Sequence, residues 1–407
     1  MTYQATLDYI WNLVNFETKP PATRGEYKLD RMRALMAQLG NPQERLRAVH
    51  IAGTKGKGST AAMIERVLRA AGYRSALYSS PHLHDPRERM RIVGNPISEE
   101  EFVALVERLR PAIEADNETT TFEALTAMAF VWFAESHIEV AVLEVGLGGR
   151  LDATNLVAPL LSVITPLSLE HTAVLGNTLA EIATEKGGIV KPGVPVVVAA
   201  QLPDAMQVLR RIAAKRDAPL TVAGDHWQVT RTAVSLAGQR FSIAEWGVGS
   251  REWGSECEIL RECEDLELPL LGAHQVENAV VAIAALEALR EQGIAWDEAA
   301  LREGLARVEW PARVEVVRRY PLVVVDGAHT RESAAALVTA LREAMPGGWG
   351  EATLVLGVSS DKDVGVLVEV LAPLADHVIL TRSRHPRAAD PAALASHPAL
   401  SIHGVRI

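Results

Sequence analysis

Residues 53–60 read GTKGKGST, with glycines at 53, 56 and 58, lysines at 55 and 57, and hydroxyl side chains around them. Glycine lets backbone approach a ligand closely, and free N–H groups at a helix start attract phosphate. Lys57 would meet outer phosphates as a point charge, while Ser59 or Thr60 could reach Mg²⁺. The usual phosphate loop, G-x-x-x-x-G-K-[ST], does not fit. Ile51 stands where its first glycine belongs, and Gly58 separates Lys57 from Ser59. The plain alternative is a strand–helix turn that uses glycine for shape alone. A turn seldom needs so many glycines, lysines and hydroxyls together, so nucleotide binding is the expectation.

Other reactive residues follow short apolar runs. RAVHIAG leads into TKGKGST, SALYSS into PHL, EVAVLEVG into LGGRLDATN, and LLSVIT into PLSLEH. In an open α/β sheet, ligands bind beyond the carboxyl ends of the strands. If these runs are adjacent parallel strands, Lys57, Ser59, Ser80, Glu144, Asp152 and His171 converge on one edge. Glu144 ends a strongly apolar run, where an unpaired carboxylate would be costly. Mg²⁺ prefers such oxygen ligands. Ser80 alone is equally a turn residue, His171 alone equally a structural histidine, and Glu144 could turn into solvent. GLGG at 146–149 lacks the third glycine of a dinucleotide fingerprint, Leu151 standing there, so a Rossmann oxidoreductase is discarded. Lys186, in IATEKGGIV, reads on its own as a cation near a helix end, before a Gly-Gly cap.

These residues need a scaffold, and the chain supplies one. From about 45 to 200, buried-strand runs alternate with amphipathic helices such as TAAMIERVLRAAG, SEEEFVALVERLRPAI and TFEALTAMAFVWFAESH, which implies βαβ units and a mainly parallel sheet. Residues 226–270 alternate polar and apolar residues, suggesting antiparallel hairpins, and AHQVENAVVAIAALEALREQG reads as a long helix ending at Gly293. The pattern breaks at Pro311. After it PLVVVDGAH, EATLVLGVSS and ADHVILT alternate with helices again. We expect one α/β domain over 1–308 and a smaller, Rossmann-like one over 309–407. The 407 residues exceed one compact core. Hydrophobic residues at 48% and charged residues at 23% are ordinary for a globular protein. A net charge of -10 argues against a general nucleic-acid surface. No apolar run reaches a membrane span, and the start lacks the regions of a signal peptide. Cys257 and Cys263 are spaced unlike a zinc or redox pair and read as idle thiols in a reducing cytoplasm; a monomer is a separate expectation.

Taken in order, HIAGTKGKGST, YSSPHL, ERMRI, LEVGLGGRLDATN, EHTAVLG, EIATEKGGIVKPG, HQVENA, PARVEVV, VVDGAH and DKD resemble the folylpolyglutamate synthase/dihydrofolate synthase family, within the Mur ligase superfamily of ATP-dependent amide ligases. The resemblance runs from about residue 5 almost to the end. It implies a P-loop-containing, mainly parallel-sheet ATPase domain, and it makes the unusual glycine loop a family trait. By position, Thr54, Gly56, Lys57, Gly58, Ser59 and Thr60 match the ATP loop. Ser80, Glu144 and His171 match magnesium ligands. Lys186 matches a lysine carbamylated in the superfamily, which would support a second Mg²⁺. Thr120, Thr121, Phe122 and Glu123, with Leu151, Asp152 and Ala153, match contacts to the pterin or its carboxylate-bearing tail. Asn278, Arg313 and Asp326 match nucleotide contacts, and His329 would flank them. The implied reaction activates a folate or dihydropteroate carboxylate as an acyl phosphate, which L-glutamate then attacks. Lys57, His171, Lys186 and Arg313 carry the catalytic expectation.

The match has departures. Glu170 replaces the usual Asp before the histidine, Pro166 replaces a Ser, DGAHNP is DGAHTR, and PGR is PAR. The family's final segment is also expected to be missing from the C-terminal domain. Two alternatives therefore stand beside the folate ligase: another Mur-type amide ligase, and a non-catalytic nucleotide-binding paralogue.

Overall fold

A computed structural model describes residues 1–18, 28–225, 227–246, 259–400 and 404–406. Contacts divide the chain into two compact units. The first comprises Met1–Thr230, Ser242–Leu266 and Glu277–Val308; the second comprises Arg231–Phe241, Glu267–Val276 and Glu309–Ile407.

The first unit begins with helices α1 (Tyr3–Trp11) and α2 (Leu29–Gln38) and is built on one eight-stranded sheet. Its strands are β1 (Ala48–Ala52), β2 (Ser75–Tyr78), β3 (Met90–Ile92), β4 (Asn95–Pro96), β5 (Val140–Glu144), β6 (Leu161–Ile164), β7 (Val196–Val198) and β8 (Leu220–Val222). They lie in the order β4-β3-β2-β5-β1-β6-β7-β8. β2, β5, β1, β6, β7 and β8 run parallel, whereas β3 and β4 form an antiparallel edge. Every residue of β1, β2, β5 and β6 is buried, as expected of parallel strands covered on both faces. This confirms the expected parallel sheet and adds the antiparallel strands β3 and β4, too short to show a period.

Crossover helices cover the sheet. α3 (Lys57–Ala70) follows β1; α4 (Glu99–Glu114) and α5 (Thr121–Glu135) precede β5. Ser98 and Glu101 form a capping box on α4, with Glu99, Glu100 and Glu101 set against the positive end of the helix. α5 is apolar nearly all round and packs within the core with Ile10, Met32, Phe102 and Tyr78. α6 (Thr172–Leu175), α7 (Leu179–Lys186) and α8 (Pro203–Lys215) complete the run to β8.

β9 (Trp227–Ser235), β10 (Gly238–Trp246) and β11 (Ile259–Leu268) form a three-stranded sheet with β10 in the middle. Cys263 is buried; Cys257 lies outside the described residues. Helix α9 spans Ala273–Glu291, so the expected helix stops two residues before Gly293. It is followed by α10 (Glu298–Ala306), which packs closely on α3: a Cβ on Gly304 would lie 2.5 Å from the Val67 Cα.

In the second unit β12 (Glu315–Arg319) and β13 (Leu322–Val325) pair antiparallel, and α11 (Arg331–Ala344) follows. β14 (Thr353–Leu356), β15 (His377–Leu380) and β16 (Gly404–Arg406) make a parallel sheet in that order, with α12 (Val364–Leu371) and α13 (Pro391–Ala395) in the connections. β13 thus pairs with the preceding strand rather than with the later parallel set. Leu356, Leu367, Val368, Leu371, Val378 and Leu380 form the core between sheet and helices. Among the described residues, no helix is long and apolar enough to cross a membrane.

Candidate active site at the carboxyl edge of the parallel sheet

Because β2, β5, β1 and β6 are adjacent and parallel, the segments leaving them meet at one edge. β1 turns into α3 through Gly53 and Gly56, at φ 156° and 82°. Gly56 is the N-cap, so the helix starts at Lys57, three residues before the TAAMIERVLRAAG run. At Gly53 a Cβ would fall 1.8 Å from Thr165 Oγ1, which fixes glycine there on steric grounds. At Gly56 it would fall 2.1 Å from Asn278 Oδ1, placing Asn278 of α9 directly against the loop.

The loop is pinned to the segment after β6. Thr54 and Lys55 N–H groups donate to Pro166 O at 3.0 and 3.2 Å. Thr54 Oγ1 donates to Ser168 O and accepts from Ser168 N, and Lys55 Nζ reaches Glu170 at 3.0 Å. Thr54 and Lys55 therefore spend their side chains on holding the loop. Lys57 is left facing the site, with Nζ 4.0 Å from Glu144 Oε1. Thr60 is wholly buried, whereas Ser59 keeps a little exposed surface, so Ser59 is the better placed hydroxyl.

Glu144, at the end of β5, is buried and accepts the Ser80 N–H at 3.2 Å. Strand order alone brings Ser80, Glu144 and Lys57 together. His171 is exposed at the start of α6, in left-handed conformation (φ 52°), next to Glu170. Among the described residues no three His, Cys, Asp or Glu side chains form a metal cluster. Mg²⁺ does not require one: it is commonly held by one or two carboxylates, waters and substrate phosphates. The hard oxygens of Glu144 and Ser80 fit that chemistry.

Lys186 ends α7, where its side chain is buried, and Nζ donates to Gly53 O at 2.7 Å. Burial, reinforced by the charge of Lys57, lowers its pKa to about 7. The glycines after it are not a left-handed cap, since Gly187 has φ −63°. They make room: a Cβ on Gly187 would meet Ile212 Cδ1 at 2.7 Å, and one on Gly188 would meet Arg150 Cα at 2.5 Å. Gly149 answers from the other side, where a Cβ would lie 3.0 Å from Lys186 O. The LGGRL and EKGG segments thus pack backbone to backbone.

Of the TTFE quartet, Thr120 and Glu123 form the capping box of α5, and Thr121 Oγ1 donates to Ile10 O. Glu123 also pairs with Arg31. Phe122 is the half-buried member, its ring against Gly146. Leu151 is half-buried, while Asp152 and Ala153 are buried at the start of a 3₁₀ turn over Ala153–Leu156. Desolvation raises the Asp152 pKa.

In the second unit Arg313, Asp326 and His329 cluster about Gly327. Asp326 accepts the N–H groups of Val314 and Ala328 at 2.8 and 2.7 Å. A Cβ on Gly327 would touch Arg313 Nη1 at 2.7 Å, and His329 Nδ1 lies 3.1 Å from Gly327 O. Ala312 and Val314, flanking Arg313, are both left-handed (φ 56° and 49°). The family's glycine in PGR suits that backbone; Ala312 adopts it against a cost of about 1–2 kcal/mol.

One group was not anticipated. Arg89 is fully buried, forks onto Glu17 with two 2.7 Å bonds, and donates from Nε to His82 Nδ1 at 2.9 Å. Trp11 stacks on the His82 ring. The sequence signals were ERMRI and SSPHL, but nothing in their spacing pairs the arginine with residue 17.

The chain's likeness to known proteins covers both units. Residues 51–286 match the Mur ligase middle domain and 312–405 the Mur ligase glutamate ligase domain. A dihydrofolate synthase/folylpolyglutamate synthase of Bacillus subtilis is 37% identical, over 95% of this chain and 86% of that one. The chain belongs to the folylpolyglutamate synthase/dihydrofolate synthase family of Mur ligases. Members of this family are ATP-dependent ligases, and so is this chain. Its fold matches Mycobacterium tuberculosis folylpolyglutamate synthase complexed with ADP at TM-score 0.85 and 36% identity, covering 99% of this chain and 88% of the other. A folylpolyglutamate synthase solved with AMPPCP and folate matches at TM-score 0.83 and 32% identity, covering 100% and 96%. Both alternatives, a different Mur-type ligase and a non-catalytic paralogue, give way to family membership along the whole chain.

Proposed function

We propose that this ligase joins L-glutamate to the carboxylate of dihydropteroate or of a folate, in two steps. A carboxylate oxygen first attacks the γ-phosphorus of ATP; the bond to the departing ADP breaks and an acyl phosphate forms. The glutamate amine then attacks the acyl carbon, the C–N bond forms, phosphate leaves, and the amine gives up its proton. Such chemistry needs positioning and charge neutralisation more than covalent help from the protein. The observation that carries the reading is the buried Glu144 carboxylate, 4.0 Å from Lys57 and bonded to the Ser80 N–H.

Each residue then has a role. The N–H groups of Gly56 to Ser59 cradle phosphate, Lys57 neutralises its outer charge, and Asn278 lines the loop. Glu144 and Ser80, with His171, would hold Mg²⁺, which would supply Lewis-acid neutralisation of phosphate charge. Lys186, with its amine held near neutrality, is suited to carbamylation by CO₂, because the unprotonated amine is the nucleophile. The carbamate would turn a repelling ammonium into a second anionic metal ligand. Phe122 supplies an aromatic face for a pterin, and Leu151, Asp152 and Ala153 its polar and apolar edge. Within the second unit, Arg313, Asp326 and His329 are proposed nucleotide contacts. A cytoplasmic monomer with no nucleic-acid partner fits the small-molecule substrates. The domains are proposed to divide at residues 308/309.

The test is direct. The purified chain, ATP and L-glutamate are incubated with dihydropteroate and separately with tetrahydrofolate, and ADP and ligated product are measured. Glutamate-dependent ADP release with one or both acceptors is expected. No release with either would overturn the proposal, and the two arms assign the acceptor.

A further inference from the structure

His50 stands in the middle of β1, wholly buried between Val49 and Ile51, where an unpartnered polar ring would be costly. Its Nε2 lies 2.8 Å from Thr154 Oγ1, and its Nδ1 has no hydrogen-bond partner. Thr154 Oγ1 is also 2.5 Å from Asp152 Oδ1. An ionised carboxylate can only accept, so the single hydroxyl proton of Thr154 goes to Asp152. The Thr154 oxygen must then accept from His50 Nε2–H. The direction of the whole chain, and the His50 tautomer, follow from that one carboxylate.

Asp152 is further held by backbone. Oδ1 accepts the Thr154 N–H at 3.0 Å and Oδ2 accepts the Leu147 N–H at 2.8 Å. A carboxylate offers about four lone-pair positions. Both on Oδ1 are engaged by Thr154, so contact with a ligand falls to Oδ2, beside the Leu147 and Gly146 N–H groups that also face the carboxylate. We propose that His50 and Thr154 form a buried positioning relay that aims the Asp152 carboxylate at the acceptor substrate. His50 lies three residues before Gly53, so the strand carrying the ATP loop also orients the acceptor-binding carboxylate. The relay rests on the reading of Asp152 as an acceptor-binding residue.

The experiment compares D152A, T154V and T154S in the full-length chain by steady-state ligation, measuring KM for acceptor, KM for ATP and kcat. T154V removes the hydroxyl while keeping its shape; T154S keeps the hydroxyl. T154V is expected to raise the acceptor KM about tenfold, the loss expected of one charge-assisted hydrogen bond. Its ATP KM should stay within about twofold, and T154S should restore the acceptor KM. A merely structural threonine would raise both constants together, or leave T154S as impaired as T154V, and either result overturns the relay. D152A should raise the acceptor KM at least as much as T154V. If D152A leaves it unchanged, the reading of Asp152 fails and the relay with it. If D152A raises it and T154V does not, the relay alone fails. Imidazole ¹⁵N NMR of the histidine-labelled wild-type chain gives a check independent of variant folding. His50 should show the neutral Nε2–H tautomer, and an Nδ1–H tautomer would overturn the proposal.

Discussion

Gly56→Ala tests the geometry of the glycine loop proposed to hold ATP against two separable costs. Gly56 has φ 82°, where a residue with a Cβ loses about 1–2 kcal/mol. The new methyl would also lie 2.1 Å from Asn278 Oδ1 and 2.9 Å from its Cγ, so the buried amide must leave its position. Forcing a side chain off its preferred rotamer costs about 0.5–1.5 kcal/mol. The sum is roughly 2–3 kcal/mol of stability. Gly72, at the other end of α3, separates the terms: its φ is 91° and a Cβ there would meet nothing within 4 Å. Gly72→Ala should therefore cost only the backbone strain, about 1–2 kcal/mol. Urea unfolding of both variants gives the difference, and equilibrium binding of ADP gives the functional consequence. Only G56A should weaken ADP, by about tenfold or more, equivalent to at least ~1.4 kcal/mol. Adding N278A should return the clash increment of stability to G56A without returning ADP affinity. Equal stability of G56A and G72A, or wild-type ADP affinity in G56A, would refute the packing of Asn278 against the loop.

Lys57→Met should abolish ATP turnover, whereas Lys55→Asn should lose only the half-exposed pair with Glu170, at most about 1 kcal/mol; comparable turnover in the two variants would contradict the division of labour between the lysines. Lys186→Ala should cripple turnover and regain part of it with added short carboxylic acids; wild-type activity without them would leave Lys186 a helix-end residue. Burial holds the His50 pKa at about 3, below its ordinary value near 6.5, so the unfolded chain binds the extra proton and stability is lost as pH falls from 6.5 to 3. Relative to pH 7, urea titration at pH 5 should show wild type losing about 2 kcal/mol more than H50Q, and parallel losses would refute this. Ala312→Gly should stabilise the chain by about 0.5–1 kcal/mol in the same assay, because relief of left-handed strain exceeds the added freedom of the unfolded backbone; a net loss would show that Ala312 is not strained.

What was legible in the sequence tracks the range of the interaction. Buried parallel strands announce themselves as apolar runs, and adjacency at the sheet edge then places Ser80, Glu144 and Lys57 together. Glycine was legible as glycine but not for its cause: Gly187 and Gly188 look like a cap, and close backbone approach is what requires them. β13 looks like another parallel strand, because pairing partner and direction are not written in an apolar run of four. The Arg89–Glu17–His82 group and the His50–Thr154–Asp152 chain join residues far apart in sequence. A lone histidine in an apolar strand hints that something is bonded to it without saying what. Thr120 and Glu123 carry both a family position and a helix cap, and only coordinates separate the two duties.

The central position of β1 also bears on how the protein comes to exist. β1 is flanked by β5 and β6, so residues 48–52 acquire both neighbours only when residues 140–164 are available. Pairings this remote in sequence are slow to form, since the loop between them must close first. At roughly 5–20 residues per second, a ribosome needs on the order of ten seconds to supply the partners. During that interval AVHIA is an unpaired, β-prone apolar segment. The glycine loop after β1, the proposed ATP site, is translated early and takes shape late, so on that reading ATP cannot stabilise a nascent chain until β5 and β6 have joined β1.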